Sequence, residues 1–513
     1  MRASLHASIW ENKWIYGVLL IVFSIFSKIC GVSPVFVLVM MLWGTLVLYS
    51  LRDLRNRAAY LVFLLAFFLF LLGGEFFELY FGYAQDFNFV ESLDLHAHIV
   101  LLVSLVFLQV GYWGADRILG KKKEKAPKLR RRNDPDSLQQ LQKLAKVFLY
   151  VTAIPMYVKT LDAVLYTMEN GYLSYYTTYE SRIPAPVEMV GEMFPMFLFL
   201  YLAGFPSKKS CILPMGIYLV HGGLAMLTGR RISLGVAILV LMFYVLLRHY
   251  KNKEERWINR KIVIAVAVAC PVLILVLYVQ RYLRYGEEVQ GGGLLDMACR
   301  FISQQGSSIH ILKLQKEVEG DPLGCTSLYY TLHYLRGNII TRHFFDFPLE
   351  YYKGRSVETA LYTNCLADYI MYKVDANDFF AGYGLGTSYI AELNHDLGLV
   401  GVALGSAVYG FLLNWLYSPK YFSYWKLALG LMMFEEFVIL PRYGADVILR
   451  PFYNFTRSLA LACLFVLVVL GKERVQWLTA KFGVDKLCNA VQKLLPAVGA
   501  KRKKGADDAD KEL

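Results

Sequence analysis

Uninterrupted apolar stretches of about 20 residues recur along this chain, each long enough to cross the hydrocarbon core of a bilayer. About twelve can be counted, near 14–30, 33–50, 58–81, 96–116, 145–166, 187–205, 211–228, 231–248, 262–280, 396–417, 423–440 and 456–471. In lipid every backbone polar group must pair within the protein. The stretches therefore predict helices. The fold class is all-α, a polytopic membrane protein with about 12 transmembrane helices. Composition agrees, with 56% of the 513 residues hydrophobic and 19% charged. Soluble domains hold about 45–50% apolar and about 25% charged residues, so a soluble multidomain enzyme is excluded. The first stretch is followed closely by a second and by no small-residue cleavage site, so it reads as a retained anchor.

The net charge of +13 is explained by placement. With the N-terminus inside, most of the 54 basic residues fall on inner loops, including Arg52, Arg55 and Arg57, the Lys121–Arg132 cluster, and the tail from Lys472. This is the positive-inside pattern, and it makes both termini cytoplasmic. Basic inner loops meet anionic lipid, and no nucleic-acid partner is implied. The eight cysteines show no metal-ligand spacing. Cys299, Cys325 and Cys365 share an outer loop, where one disulfide or three thiols are both open readings.

Four regions follow. Residues 1–280 hold helices one to nine with a basic inner linker at 117–144. Residues 281–385 form a large extracytoplasmic loop. Residues 386–471 hold helices ten to twelve, and 472–513 form an inner amphipathic helix and charged tail. Long ordered loops tend to carry function. The outer loop predicts an amphipathic helix with Leu294, Leu295, Ala298 and Ile302 on one side. It then sets Tyr329, Tyr330, Tyr334, Tyr351 and Tyr352 among Arg336, Arg342 and Arg355. Such tyrosines suit a sugar-binding cleft or a membrane interface equally.

The charges that break the inside-positive pattern carry more information. Thr228-Gly229-Arg230-Arg231-Ile232-Ser233 makes a tight outward turn between the seventh and eighth stretches. Ionisable residues at membrane depth mark a pathway or a ligand. Either the two arginines snorkel to headgroups, or they clamp an anion, since arginine forks fit phosphate oxygens. Arg281 and Arg284 leave the ninth stretch one turn apart and share a face. Arg442, Arg450 and Arg457 flank the last two stretches on the same side. Together they predict an outward basic cavity suited to a ligand both lipid-bound and strongly anionic, a polyprenyl pyrophosphate. An acid or base would complete an enzyme. Glu392, His395 and Asp396 lie at i, i+3 and i+4 on a helix leading into the tenth stretch. Glu75, Glu78, Glu435 and Glu436 stand near outer helix ends as partners for the arginines.

Several phrases in this order resemble the Wzy-type O-antigen and capsular polysaccharide polymerases, a family related to the O-antigen ligases. They are Thr228-Gly229-Arg230-Arg231, Phe301-Ile302-Ser303-Gln304-Gln305-Gly306-Ser307 and Gly384-Leu385-Gly386-Thr387-Ser388-Tyr389-Ile390-Ala391-Glu392. Asp396-Leu397-Gly398-Leu399-Val400-Gly401 and Arg450-Pro451-Phe452-Tyr453-Asn454-Phe455 extend the match over 225–460. Over 1–220 the resemblance is one of hydropathy and span number. The ligases commonly show a His-Asn pair where this chain has Asn394-His395, and Glu392 takes the more comparable place. The base is therefore Glu392 or His395.

The resemblance implies a GT-C-like membrane glycosyltransferase of the bacterial inner (cytoplasmic) membrane, inverting, metal-independent and without a cofactor. Its substrate would be an undecaprenyl-pyrophosphate-linked oligosaccharide, polymerised at the outer face of the bilayer, with a chain-length regulator and a flippase as further partners. By position, Arg230 and Arg231 would hold the diphosphate, with Arg281, Arg284, Arg442 and Arg450 as further diphosphate-binding candidates. Gln304, Gln305 and Tyr389 would position sugars. Two rivals stand. A ligase needs the same donor pocket. A flippase for the lipid-linked unit would call for inverted repeats and broken midplane helices, which the sequence does not display.

Overall fold

The computed structural model describes residues 21–25, 27–29, 31–83, 89–122, 135–230, 232–251, 257–285, 292–318, 324–337, 354–418 and 424–453. Among them every regular element is helical. Helices α1 (Pro34–Leu51) and α2 (Leu54–Phe67) lead to a π turn (Phe68–Leu72) and α3 (Gly73–Phe81). Next come α4 (Glu91–Lys122), α5 (Pro135–Asn170), α6 (Tyr172–Thr177), α7 (Ala185–Glu192), α8 (Phe194–Ala203), α9 (Lys208–Met226), α10 (Ile232–Lys251) and α11 (Arg260–Tyr285). The described part of the 281–385 loop is itself helical: α12 (Leu294–Gln305), a 3-10 turn (Gly306–Ser308), α13 (Ile309–Glu317), α14 (Tyr329–Gly337), α15 (Val357–Tyr362), α16 (Leu366–Val374) and α17 (Ala376–Ala381). Then follow α18 (Tyr389–Tyr417), α19 (Tyr424–Ile439), two 3-10 turns (Leu440–Arg442 and Ala445–Leu449) and α20 (Arg450–Tyr453).

Seven described helices are long and apolar enough to span a membrane: Pro34–Leu51, Leu54–Phe81, Glu91–Leu119, Leu141–Asn170, Ala185–Ala203, Ile232–Tyr250 and Tyr389–Tyr417. They match seven of the twelve expected stretches, and the protein is an all-α, multi-pass integral membrane protein. The other five differ for local reasons. Stretch 456–471 and most of 14–30 lie outside the described residues. Lys208, Lys209, Pro214 and His221 dilute α9, α19 has only 16 residues, and the apolar part of α11 shrinks to Pro271–Gln280. Exposed apolar side chains such as Val268, Leu404 and Val408 are the surface a bilayer would cover.

The chain divides into two compact units, one of Met1–Lys125, Ala163–Glu180 and Gly222–Tyr453, the other of Ala126–Asp162, Ser181–His221 and Asn454–Leu513. In the described part of the second unit, Phe148 stacks on Phe197 with centroids 5.1 Å apart. Lys159 pairs with Glu192 at 2.9 Å, and Tyr157 donates to Ile217 O at 2.8 Å.

The first unit is built on α4 and α18. Their backbones touch: a Cβ added at Gly111 would lie 1.9 Å from Ala407 O, and one at Gly410 would lie 1.9 Å from Leu108 O. Small residues allow that approach, as in membrane helix pairs generally. Polar ties add to it. Ser104 Oγ lies 2.8 Å from Tyr389 OH and 2.9 Å from Ser406 Oγ, and Asn414 donates to Tyr112 O at 2.7 Å. Gly398, at φ 58° and ψ −151°, kinks α18 between its first turns and the rest of the helix. On α12 the expected face is only partly buried. Phe301, Ser303 and Gln305 face inward, whereas Leu294 and Leu295 are exposed.

Candidate functional site

The N-terminal end of α18 is fixed by its cap. Ser388 caps the helix by accepting from Ile390 N. This places Glu392, His395 and Asp396 within the first two turns, as their spacing requires, but in three different surroundings. Glu392 is buried at 2% exposure. Its Oε1 accepts from Thr387 Oγ1 at 3.1 Å and its Oε2 from Ala445 N at 2.7 Å. Gly444 makes room for it, since a Cβ there would lie 2.7 Å from both carboxylate oxygens. Asp396 ties down the 281–385 loop, accepting from Thr326 N at 2.9 Å, Thr326 Oγ1 at 2.8 Å and Ser327 N at 2.8 Å.

His395 meets open space. Its Nδ1 lies 3.0 Å from Asp396 Oδ1. With a proton on Nδ1 that contact is a hydrogen bond, and Nε2 is then an acceptor. The ring lines a cavity of about 420 Å³ with His96, Asn394, Gln315, Lys316 and Tyr369. Among the described residues, the polar lining includes a lysine, two histidines and two amides, and no carboxylate. The Gln315 amide bridges Ala391 O and His395 N at 3.0 Å each. The helix is thus stitched to α13 at the turn that carries His395.

The segment after α19 backs this site. Leu440–Arg442 and Ala445–Leu449 are 3-10 turns around Gly444, so the chain presents backbone donors rather than a closed helix. Tyr409 OH donates to Ala445 O. Asp446 accepts from Thr331 N at 2.6 Å, Thr331 Oγ1 at 2.7 Å and Tyr330 N at 3.4 Å. Burial raises its carboxyl above the ordinary aspartate range, against those hydrogen bonds. Arg442 Nη1 donates to Gln305 Oε1 at 3.3 Å, with its guanidinium 5.7 Å from the Phe70 ring centroid. Arg450 lies 3.9 Å from Glu436, whose charge raises its pKa.

Of the sequence candidates, the structure thus joins Arg442 to Gln305 and sets Arg450 beside Glu436. Gln304 is half-buried with an Oε1 that has no hydrogen-bond partner. Tyr389 sits inside the α4 interface with its hydroxyl on Ser104. Arg230 is exposed at the α9–α10 turn, 5.7 Å from the Tyr175 ring centroid. Arg231 lies outside the described residues, as do the side chains of Arg281 and Arg284. No group of three His, Cys, Asp or Glu side chains among the described residues is placed to hold a metal.

A family model described as O-antigen polysaccharide polymerase Wzy matches residues 14–474. The chain belongs to this family. Membership gives the Wzy chain an O-antigen polymerase role and a glycosyltransferase-like activity in polysaccharide biosynthesis. No curated protein and no solved structure matches it.

One cluster in this Wzy chain escaped the sequence reading. Lys313 of α13 is buried against Glu75 of α3 and Asp94 of α4, at 2.7 Å from the latter, and Glu75 also holds His98. Burial would lower the lysine's pKa; the two carboxylates outweigh it and raise it. The signal was a lone lysine among Ile309, Ile311, Leu312 and Leu314. Its partners are more than 200 residues away, which no local pattern reveals.

Proposed function

We propose that this protein transfers a growing glycan from undecaprenyl pyrophosphate to the next lipid-linked repeat unit at the outer face of the bacterial inner membrane. The observation that carries the choice of site is the His395–Asp396 pair on a cavity whose described polar lining is uncharged and basic. In this reading His395 is the general base. Asp396 holds the proton on Nδ1 and stabilises the imidazolium, as in other base–carboxylate pairs. Nε2 takes the proton from the acceptor hydroxyl. The oxygen attacks the anomeric carbon from the face opposite the diphosphate, the bond to the diphosphate oxygen breaks, and the configuration inverts. The diphosphate leaves with its charge balanced by Arg230, Arg231 and Arg442, with Arg281, Arg284 and Arg450 on the same side. Such electrostatic assistance is often the largest catalytic contribution. Diphosphate is already a good leaving group, so the step needs no metal.

Gln304 and Gln305 would meet sugar hydroxyls. Tyr389 and Glu392 would act as positioning residues, Tyr389 by holding α4 and Glu392 by holding the 444–445 backbone behind Arg442. A chain-length regulator and the flippase that delivers the repeat units are the expected partners. The experiment is a profile of lipid-linked glycans from cells whose only copy carries His395→Gln. Single repeat units on the carrier with normal protein levels support the proposal. Normal polymer excludes His395 as base. Long polymer stranded on the carrier would instead make this a ligase.

A further inference from the structure

The span α5 ends in a tyrosine-rich stretch, Tyr166 to Tyr179, that none of the assignments above uses. The structure folds it against the Gly229–Arg230 turn. Gly229 has φ +83°, and a Cβ there would lie 2.0 Å from Tyr172 Cε2, so the ring lies directly on the turn. Only glycine suits both the left-handed backbone and that contact. From Arg230 a line of rings runs outward. The Arg230 guanidinium is 5.7 Å from the Tyr175 centroid. Tyr175 stacks on Tyr179 at 5.0 Å and 25°, and Tyr179 meets Tyr166 at 5.1 Å and 59°. Tyr166, Tyr172, Tyr175 and Tyr179 are all half-buried.

Resting on the proposed diphosphate role of Arg230, we infer that this tyrosine shelf is the subsite for the first sugars of the donor glycan. A lipid-linked donor has one fixed geometry: its sugars begin where its diphosphate ends. A cation that holds the diphosphate therefore has the first pyranose rings beside it. A pyranose offers an apolar C–H face and a rim of hydroxyls. Tyrosine offers an apolar face and a phenolic hydroxyl, at small entropic cost because it has only two side-chain torsions. The same rings serving only as membrane-interface anchors would bind no free sugar, and that difference can be measured.

The test uses full-length protein in lipid nanodiscs and two probes. One is the lipid-free repeat-unit oligosaccharide, released by mild acid from the cell's own carrier-linked pool. The other is undecaprenyl pyrophosphate without sugar. Tyr175→Ala and Tyr179→Ala should weaken oligosaccharide binding about fivefold, the loss of one good ring contact, while Tyr175→Phe stays within about twofold. Arg230→Ala should weaken binding of the sugar-free carrier and spare the oligosaccharide. Tyr175→Leu, apolar and without a ring, replaces the alanine variant if too little of that protein accumulates. Oligosaccharide binding that is absent from the wild type, or equal in wild type, Tyr175→Ala and Tyr179→Ala, overturns the inference. The polymerase reading fails separately, by long polymer stranded on the carrier in the His395→Gln strain.

Discussion

Glu392 and His395 lie one turn apart on α18, yet their surroundings differ. Both oxygens of Glu392 already accept hydrogen bonds inside the protein, whereas His395 lines a cavity. Glu392→Gln separates the two roles. The amide oxygen can still accept from Ala445 N, and the amide nitrogen can donate to the Thr387 hydroxyl. Polymer should persist near the wild-type level in a glycan profile; its complete loss would return Glu392 to the role of base. Glu392→Ala leaves the Ala445 N–H buried and unpaired, at a cost of about 1–3 kcal/mol, readable by thermal unfolding in detergent. Gly444→Ala should mimic it. Its Cβ would lie 2.7 Å from the carboxylate and 3.0 Å from Tyr330 Cε2, an overpacking worth about 1–3 kcal/mol. Combined with Glu392→Ala, the two losses should be less than additive. The i, i+3, i+4 spacing made this trio visible in sequence. The separate fates of its members depend on Ala445, Thr326 and Ser327, which are distant along the chain.

At the scale of elements, α13 is fastened to α3 and α4 by Lys313 and to α18 by Gln315. Removing one member of a buried ion cluster leaves an uncompensated charge, at about 3–5 kcal/mol. Lys313→Met should lower the unfolding temperature sharply and release the 281–385 loop to proteolysis. Adding Glu75→Gln to Lys313→Met should recover part of the loss. If Lys313→Met unfolds like the wild type, the cluster does not anchor the loop. The α4–α18 contact obeys a different rule. Gly410→Val places side-chain atoms where Leu108 O now lies 1.9 Å from an added Cβ, so the helices must separate and little folded protein should reach the membrane. The apolar runs announced these helices clearly. Their pairing was not legible, because small residues along a span mark a close contact without naming the partner.

For the whole molecule, charge asymmetry predicts an orientation with the 281–385 loop outside. A phosphatase reporter that works only outside the cytoplasm should be active when fused after Glu317 and inactive after Lys122. The opposite pattern would invert the topology and remove the outward site. Sequence by itself determined the all-α membrane class, seven of the spans, the family, and the helix carrying Glu392 and His395, because hydropathy, charge bias and short motifs are local properties of a chain in lipid. Tertiary structure alone decided which of those side chains meets open space, that Arg442 joins Gln305, that Lys313 is neutralised by Glu75 and Asp94, and that the tyrosines after α5 lie against Arg230. Each of these depends on contacts between residues far apart in sequence. Burial and hydrogen-bond satisfaction belong to those contacts, and no residue carries them until its partners are in place.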